Sequence, residues 1–524
     1  MTEAQLPPDV PPDAGEQAGS GGQERRPHLA VNMAWNWAGA VAETVTAFIV
    51  APLLVGVLGE ADYGYWILLG SVAGYMALMD LGVRGSVGRY IAYYRAKGDI
   101  VALRGVVRSG VVLSGSAGLI ILVLAVGLDP VFMRMFDVPP EATPQMRLAL
   151  WLVVTNLAVS LPLNVFDALL WGAERFDRLN QISIPAAVLR LAASYWVVSA
   201  GFGLVGLAAA LLILSLLVAA AKAVAALQVE PTAFSWGRGV TPGMARILFR
   251  YGLPLFVLTV TRMTRLQLIP ATVGWVLGPT RVTHYSLSRR LVDYGDSFVY
   301  AFTGVVTPTF ALLQAKGESE KAISLFTLGG RLSGALGMLF AGFALSLGGP
   351  FLALWLGPQW AAYTSLLCVM TLGEVIPISQ SATANMLVGM ARHRYYAGLL
   401  VAEVVVIGIG GVLASQRYGL MGLCIVLAIS ATVFRGLLVI RQGCNVLGVP
   451  LRRYLMTVLA PAAVACGLAG VALQAMVTVI RPTTWARFVV DLGVYGILAL
   501  GALLVLGGRP LVDMVRGRLL GSRG

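Results

Sequence analysis

The sequence predicts an all-α polytopic membrane protein with about 14 transmembrane helices, and three observations support this. Hydrophobic residues make up 58% of the 524 residues and charged residues only 12%, about half the roughly 25% of soluble domains. The charges cluster in short segments between long apolar runs. A run of about 18 apolar residues spans a hydrocarbon core, where the backbone must be hydrogen-bonded within a helix.

Each predicted span is an apolar run long enough to cross the bilayer. The predicted spans are 31–57, 63–83, 106–127, 147–171, 182–201, 204–227, 247–276, 284–312, 326–348, 361–389, 395–416, 420–442, 454–478 and 485–508.

Basic residues predict the orientation of the chain. With the N-terminus inside, the inside segments hold 25 of the 38 Lys and Arg residues and the outside segments hold 6, so both termini are expected in the cytoplasm. The net charge of +13 then reflects topology and contact with anionic lipid heads. Membrane lipids are therefore expected partners, and nucleic acid is not.

Several classes of function are disfavoured by the residue types and loop lengths. The cysteines and histidines are scattered without paired spacing, so no metal site, cofactor or catalytic residue is predicted. The longest outside loop, 128–146, is too short to fold as a catalytic domain. A transporter is therefore favoured over an enzyme.

An internal repeat organises the chain. Three short motifs recur in the same order: 57–59 as 276–278 and 96–98 as 315–317, both at an offset of 219, and 203–207 as 419–423, at an offset of 216. Because six spans separate the copies, both copies enter the membrane in the same sense, as in transporters built from parallel repeats. Two such bundles with a cavity between them suit alternating access.

The repeat predicts how the chain is divided. The predicted parts are a disordered cytoplasmic tail (1–28), an N-lobe of helices 1–6 (29–227), a cytoplasmic linker (228–246), a C-lobe of helices 7–12 (247–445), two additional helices 13–14 (446–508) and a cytoplasmic tail (509–524).

Ionisable residues inside predicted spans are the candidate functional residues, because each costs about 2.5–3.5 kcal/mol at mid-bilayer unless it faces a cavity or a partner. The candidates for lining a substrate cavity are Arg262, Arg265, Arg289, Arg290 and Glu43. Glu43 and Arg262 are related by the offset of 219, so they occupy equivalent places in the repeat. Arginine forks suit phosphate.

Acidic residues in the spans leave two interpretations open. Asp293 and Asp296 lie on one face of span eight with Arg289. Either Arg262 and Arg265 line a water-filled cleft that attracts an anionic head group, or Asp293 and Asp296 neutralise them and only hold two helices together. Asp293 and Asp296 are also candidates for ion coupling. Glu374 in span ten and Glu403 in span eleven are candidates for proton or cation coupling, and a polar helix contact is an equal alternative for each.

Motifs along most of residues 31–445 resemble one family. They are Asn36-Trp37, Ala51-Pro52-Leu53, Tyr63-Gly64-Tyr65-Trp66, Asp80-Leu81-Gly82, Tyr251-Gly252-Leu253-Pro254, Arg262-Met263-Thr264-Arg265, Leu277-Gly278 and the two Gly-Leu-x-Gly-Leu turns. Together they resemble the polysaccharide exporter (oligosaccharide flippase) family of the multidrug/oligosaccharidyl-lipid/polysaccharide exporter superfamily.

This resemblance implies two six-helix lobes around a central cavity, in a bacterial cytoplasmic (inner) membrane. It implies a polyprenyl-diphosphate-linked oligosaccharide as substrate, flipped for the synthesis of a surface polysaccharide such as lipopolysaccharide or exopolysaccharide. Polysaccharide polymerase or assembly proteins are further candidate partners. Arg262 and Arg265 match the basic pattern of the family in span seven, whereas Thr264 stands where relatives often carry an acid.

Three other functions are weighed against this one. A multidrug or cation antiporter of the same superfamily would have an acidic or aromatic cavity, while arginine dominates spans seven and eight. A flippase for the peptidoglycan precursor lipid II shares the fourteen spans. A membrane enzyme of glycan assembly would turn over sugar without vesicles.

Overall fold

The computed structural model describes residues 41, 44–80, 82–233, 242–303, 306–390 and 392–506. Within these ranges the backbone forms helices joined by short turns, without any strand. The α-helices are α1 (Thr44–Leu58), α2 (Glu60–Met76), α3 (Val83–Ala96), α4 (Ile100–Met135), α5 (Thr143–Gly172), α6 (Phe176–Ser199), α7 (Gly203–Val229), α8 (Pro242–Leu277), α9 (Pro279–Thr303), α10 (Val306–Ala315), α11 (Ser319–Leu356), α12 (Thr364–Ser379), α13 (Ser381–Gly389), α14 (His393–Ser430), α15 (Leu438–Leu447), α16 (Leu451–Tyr454), α17 (Ala460–Val479) and α18 (Trp485–Leu506).

Short segments of other helical geometry interrupt the α-helices. Ala77–Asp80 and Pro358–Tyr363 are 3₁₀ turns, while Ala431–Leu437 and Leu455–Leu459 are π-helical. The hydrogen bonds of a π segment join residues five apart, one more than in an α-helix, and such segments are frequent at functional sites.

The prediction of an all-α multi-pass membrane protein is confirmed. In the described ranges, nine helices are long and apolar enough to span a membrane, or ten if the bent pair formed by Glu60–Asp80 and Val83–Ala96 counts as one span. One of the nine, Tyr395–Leu447, has 53 residues and covers two of the predicted spans, with a backbone break at Gly419. Every predicted span overlaps a described helix.

The surface is apolar, as expected for helices that face lipid. Val123 is 65% exposed in the middle of α4, and Ile213 is 57% exposed in α7. Buried positions are often small or polar instead, such as Ser109 in α4 and Ser333 in α11. Contiguous exposed apolar surface of this kind marks a membrane or partner contact.

The chain divides into two compact units, Met1–Met263 and Thr264–Gly524. In unit 1, α5 packs against α3, α4 and α7, and its core includes Val87, Ile91 and Leu170. In unit 2, α11 packs against α9, α12, α17 and α18. The predicted lobe boundaries at 228–246 and 446 stay predictions.

Helix boundaries follow the predicted repeat. α2 begins at Glu60 and α9 at Pro279, and α4 begins at Ile100 and α11 at Ser319, both at the offset of 219. α3 and α10 end at residues 96 and 315, again at this offset. The two units therefore share one order of helices, with breaks at the same places.

Backbone conformation at the recurring glycines follows the same register. Gly203 and Gly419, the first residues of the two Gly-Leu-x-Gly-Leu turns, have φ of 57° and 62°. Non-glycine residues rarely adopt such angles. The motif therefore recurs because both copies need the same turn, which lies at the start of α7 in unit 1 and at the break in α14 in unit 2.

A close helix contact also recurs in the repeat. A Cβ on Gly172 would lie 2.6 Å from the carbonyl oxygen of Gly88, and one on Gly389 would lie 2.5 Å from that of Thr307. Gly88 and Thr307 are themselves equivalent positions at the offset of 219. Both units thus use a glycine to bring the same two helices together.

Candidate functional site

A buried network of charged side chains lies inside unit 2. Glu374 of α12 accepts hydrogen bonds from two arginines. Arg289 of α9 donates through Nη2 to Oε1 at 2.7 Å, and Arg435 donates through Nη2 at 2.6 Å to Oε1 and through Nη1 at 2.8 Å to Oε2. Glu374 therefore links three segments that are distant in the sequence.

Arg435 also extends the network to α14. Its Nε donates to Oε1 and Oε2 of Glu403 at 2.8 and 3.1 Å. One guanidinium thus makes four contacts with two carboxylates, a number that the planar five-donor fork of arginine allows and that exceeds the three donors of a lysine ammonium.

Asp293 forms the other end of the network. Its Oδ1 accepts from Nε of Arg289 at 2.9 Å, one helical turn away on α9. The side chain of Asp293 is 46% exposed, whereas those of Glu374 and Glu403 are 5% and 1% exposed. The network therefore runs from the surface of unit 2 to its interior.

Close packing of α12 on the end of α14 and on the π segment Ala431–Leu437 that follows it makes this contact possible. Gly373 approaches Ala428 too closely to carry a Cβ, and Gly436 packs against Ile376. These two glycines flank Glu374 and Arg435 in the sequence. Small residues at such contacts let two helices approach closely in membranes.

Five charged side chains form the network within the described part of the chain. Its members, Arg289, Arg435, Asp293, Glu374 and Glu403, provide two guanidiniums and three carboxylates. Buried charges are tolerated when they are paired and hydrogen-bonded, and removing one partner is strongly destabilising.

Four of the predicted site residues therefore meet in one network, namely Arg289, Asp293, Glu374 and Glu403. Glu374 and Glu403 both make the polar helix contact that was the alternative to ion coupling. Arg290 is half-buried on α9 and Asp296 is exposed on the same helix.

Arg262 and Arg265 lie on α8, and their side chains are outside the part of the chain that the structure describes, as is Glu43. The contact of Asp293 with Arg289 is thus the described one. The assignment of Arg262, Arg265, Arg290 and Glu43 to a substrate cavity stays a prediction.

Arg435 is the member of the network that sequence reasoning missed. It lies in the middle of predicted span twelve, so the rule that an ionisable residue in a span needs a partner could have marked it. Arg435 lies in the π segment Ala431–Leu437. The sequence could not predict which helix face it occupies, because that prediction assumes 3.6 residues per turn.

Comparisons with known proteins agree with the fold and the resemblance. A family model described as "Polysaccharide biosynthesis protein" matches residues 111–365. No curated protein sequence matches significantly. Among solved structures, an inward-facing multidrug resistance MATE family transporter of the MOP superfamily aligns with a TM-score of 0.67 at 15% identity, covering 78% of this chain and 96% of its own.

Two further structures extend the comparison. The lipid II flippase MurJ, in an inward closed conformation, aligns with a TM-score of 0.67 at 10% identity, covering 94% of this chain and 100% of its own. A MOP superfamily transporter from Pyrococcus furiosus, whose binding pocket is described as reversed in polarity, aligns with a TM-score of 0.57 at 16% identity over 81% and 95% of the two chains.

This chain has the MOP superfamily fold. The predicted resemblance to the polysaccharide exporters of that superfamily is confirmed by the family match and the structural neighbours together. These structural neighbours are a transporter and a flippase, and the multi-pass membrane location of this chain follows from the fold and the apolar helices.

Proposed function

We propose that this chain is a flippase that moves a polyprenyl-diphosphate-linked oligosaccharide across the bacterial cytoplasmic membrane by alternating access. The match to polysaccharide biosynthesis proteins over residues 111–365 carries the proposal. A diphosphate head group cannot cross hydrocarbon unaided, because burying unpaired charge there is very costly. A superfamily of transporters supplies the fold that such a reaction needs.

The extent of the structural alignments supports a flippase over an antiporter. The alignment with MurJ covers 94% of this chain. The unmatched part is shorter than the segment 446–508, so the alignment includes at least part of the two additional helices. Helices of that segment pack on α11 within unit 2. Tyr495 of α18 donates to the Leu339 carbonyl of α11 at 2.8 Å, and Ser346 of α11 donates to the Gly470 carbonyl of α17 at 2.9 Å. Alignment with the MATE transporter leaves over a fifth of the chain unmatched.

Arg262 and Arg265 are the proposed phosphate ligands. They lie three apart and so on one face of α8, where two guanidinium forks can share one diphosphate. Arg289 and Arg435 already donate to carboxylates, so we assign them to holding α9, α12 and α14 together and not to the substrate.

Deletion of the gene tests the proposal. The expected result is loss of a surface polysaccharide, with its lipid-linked precursor trapped on the inner leaflet, where a membrane-impermeant sugar-modifying enzyme added outside cannot reach it. Both termini are expected in the cytoplasm, which reporter fusions check. Normal surface polysaccharide together with a changed drug resistance would favour the antiporter instead.

A second candidate function, lipid II flipping, is favoured by the alignment that covers the whole MurJ chain. Its substrate has the same polyprenyl-diphosphate chemistry and differs in the sugar. The viability of the deletion strain separates the two functions, because loss of the peptidoglycan precursor stops growth whereas loss of a surface polysaccharide does not.

A further inference from the structure

A charged cavity of about 250 Å³ lies in unit 1, at the start of α3 and near the end of α5. Arg84, Asp167 and Trp171 contribute side chains to its wall, and Gly85 and Gly88 leave space on the α3 side. A Cβ on Gly88 would lie 3.0 Å from the Trp171 ring. The glycine at this position therefore helps to keep the cavity open.

Two cationic side chains and one carboxylate meet at this cavity, and a second carboxylate, Asp80, lies one turn before Arg84 and accepts from the Arg84 backbone N–H at 3.4 Å. Lys222 of α7 lies 3.0 and 3.1 Å from the two carboxylate oxygens of Asp167, so it neutralises that side chain. Nη2 of Arg84 lies 3.5 Å from Asp167, and the Arg84 side chain is 58% exposed. Most of the five donors of the Arg84 fork thus remain available to a ligand.

The repeat provides a comparison inside the same chain. In unit 2, Thr303 takes the place of Arg84 and Asn385 that of Ala168, at offsets of 219 and 217. There the amide of Asn385 donates to the hydroxyl of Thr303 at 3.3 Å, and both side chains are buried. In unit 2, neutral residues therefore fill the position that corresponds to the cavity. The fold that the two units share does not require the charges found around the cavity in unit 1.

The cavity lies near one end of its helices. Asp167 is five residues from the end of α5 and Lys222 is seven from the end of α7, or roughly 8 and 10 Å along the axes at 1.5 Å per residue. The predicted topology puts these ends in the cytoplasm. Trp171 is 53% exposed beside the cavity, and tryptophan is enriched at the level of lipid head groups.

We propose that this cavity binds the phosphate of a lipid head group from the inner leaflet. The Arg84 fork would donate to two phosphate oxygens, and the positive end of the α3 dipole beside Gly85 would add to the attraction. Pockets for drug-sized ligands measure roughly 300–1,000 Å³, so this smaller cavity fits a head group with its tail outside in the bilayer.

Lipid retention by the purified full-length protein tests this inference. The protein is released from phosphatidylcholine nanodiscs that contain either phosphatidylglycerol or a polyprenyl monophosphate, and bound lipid is counted by native mass spectrometry. Enrichment of either anionic lipid over phosphatidylcholine, whose phosphate is balanced by its own choline cation, supports the site, and the lipid with the greater enrichment identifies the source. Binding of added inorganic phosphate alone, without enrichment of a lipid, would overturn it.

Three variants test both the direction and the magnitude of the change in lipid retention. Arg84→Gln should lower retention about tenfold, the loss of a charge-assisted hydrogen bond, while Asp167→Asn should retain at least as much lipid as the wild type because it removes the carboxylate that competes with phosphate. Arg178→Gln, at an exposed arginine of α6 outside the cavity, should change nothing. Unchanged retention in Arg84→Gln, or a loss in Asp167→Asn, contradicts the inference.

These measurements need no transport. A flippase that moves its substrate without retaining phosphate lipid at Arg84 would remove this site and leave the proposed function standing. Retention of lipid by a protein that does not flip its substrate would support this site and remove the proposed function.

Discussion

Glu374 is the carboxylate of the described network that accepts hydrogen bonds from two arginines. Its side chain is 5% exposed and accepts hydrogen bonds from Arg289 and from both terminal nitrogens of Arg435. Its position in predicted span ten predicts that the carboxylate needs a partner, but it does not identify that partner. The partners lie 85 and 61 residues away in the sequence, and helix packing, which one sequence does not reveal, brings them together.

A pair of isosteric variants tests how much this bridge stabilises the fold. Glu374→Gln should lower the free energy of unfolding by about 3 kcal/mol, because it leaves two buried guanidiniums short of a carboxylate. Asp293→Asn removes the half-exposed carboxylate of the same network and should cost less than about 1 kcal/mol. Thermal unfolding in detergent measures both, and equal losses would show that burial does not set the value of these contacts.

Helix breaks could be predicted in part at the level of elements. The gap between predicted spans eleven and twelve falls on Gly419, where the structure has its backbone break. Predicted span ten proves to be two helices, α12 and α13, with a turn at Gln380 between them. Proline marks a possible break, as Pro377 does just before the end of α12, but α5 continues through Pro162.

Two glycines of α14 separate the effect of backbone conformation from that of packing. Neither has a neighbour that an added Cβ would touch, but Gly419 has φ 62° and ψ −151°, a region that is essentially restricted to glycine. Gly419→Ala should therefore destabilise the protein by about 1–3 kcal/mol.

The matched control is Gly398→Ala, in the regular part of α14. It should stabilise the protein by about 0.5–1 kcal/mol, since alanine is the better helix former. If the two variants unfold at the same temperature, the break at Gly419 does not exist in the folded protein.

The repeat is the property of the whole molecule that the sequence predicts best. Three short motifs gave its register, and the helix boundaries at residues 60 and 279 and at 100 and 319 follow it. The charged clusters do not follow it, since the network of Glu374 lies in one unit and the cavity of Arg84 in the other. Motifs that shape the backbone survive in both copies, whereas each unit carries its own charges.

Substrate recognition is predicted to depend on the arginine pair of α8. The double variant Arg262→Ala, Arg265→Ala should abolish export of the surface polysaccharide while the protein still inserts, because the diphosphate loses its cationic partners. The measurement is surface polysaccharide in a deletion strain that carries the variant, with membrane abundance checked by immunoblot. Full export by the double variant would remove both residues from the mechanism.

Reconstitution tests the central claim most directly. The purified protein is placed in proteoliposomes with a fluorescent polyprenyl-diphosphate oligosaccharide in both leaflets, and a membrane-impermeant quencher is added outside. With flipping, quenching should proceed beyond the roughly half expected from the outer leaflet alone, and the double variant should stop at that half. A wild-type protein that also stops at half, in vesicles shown to contain it folded, would contradict the claim that this chain is a lipid-linked oligosaccharide flippase.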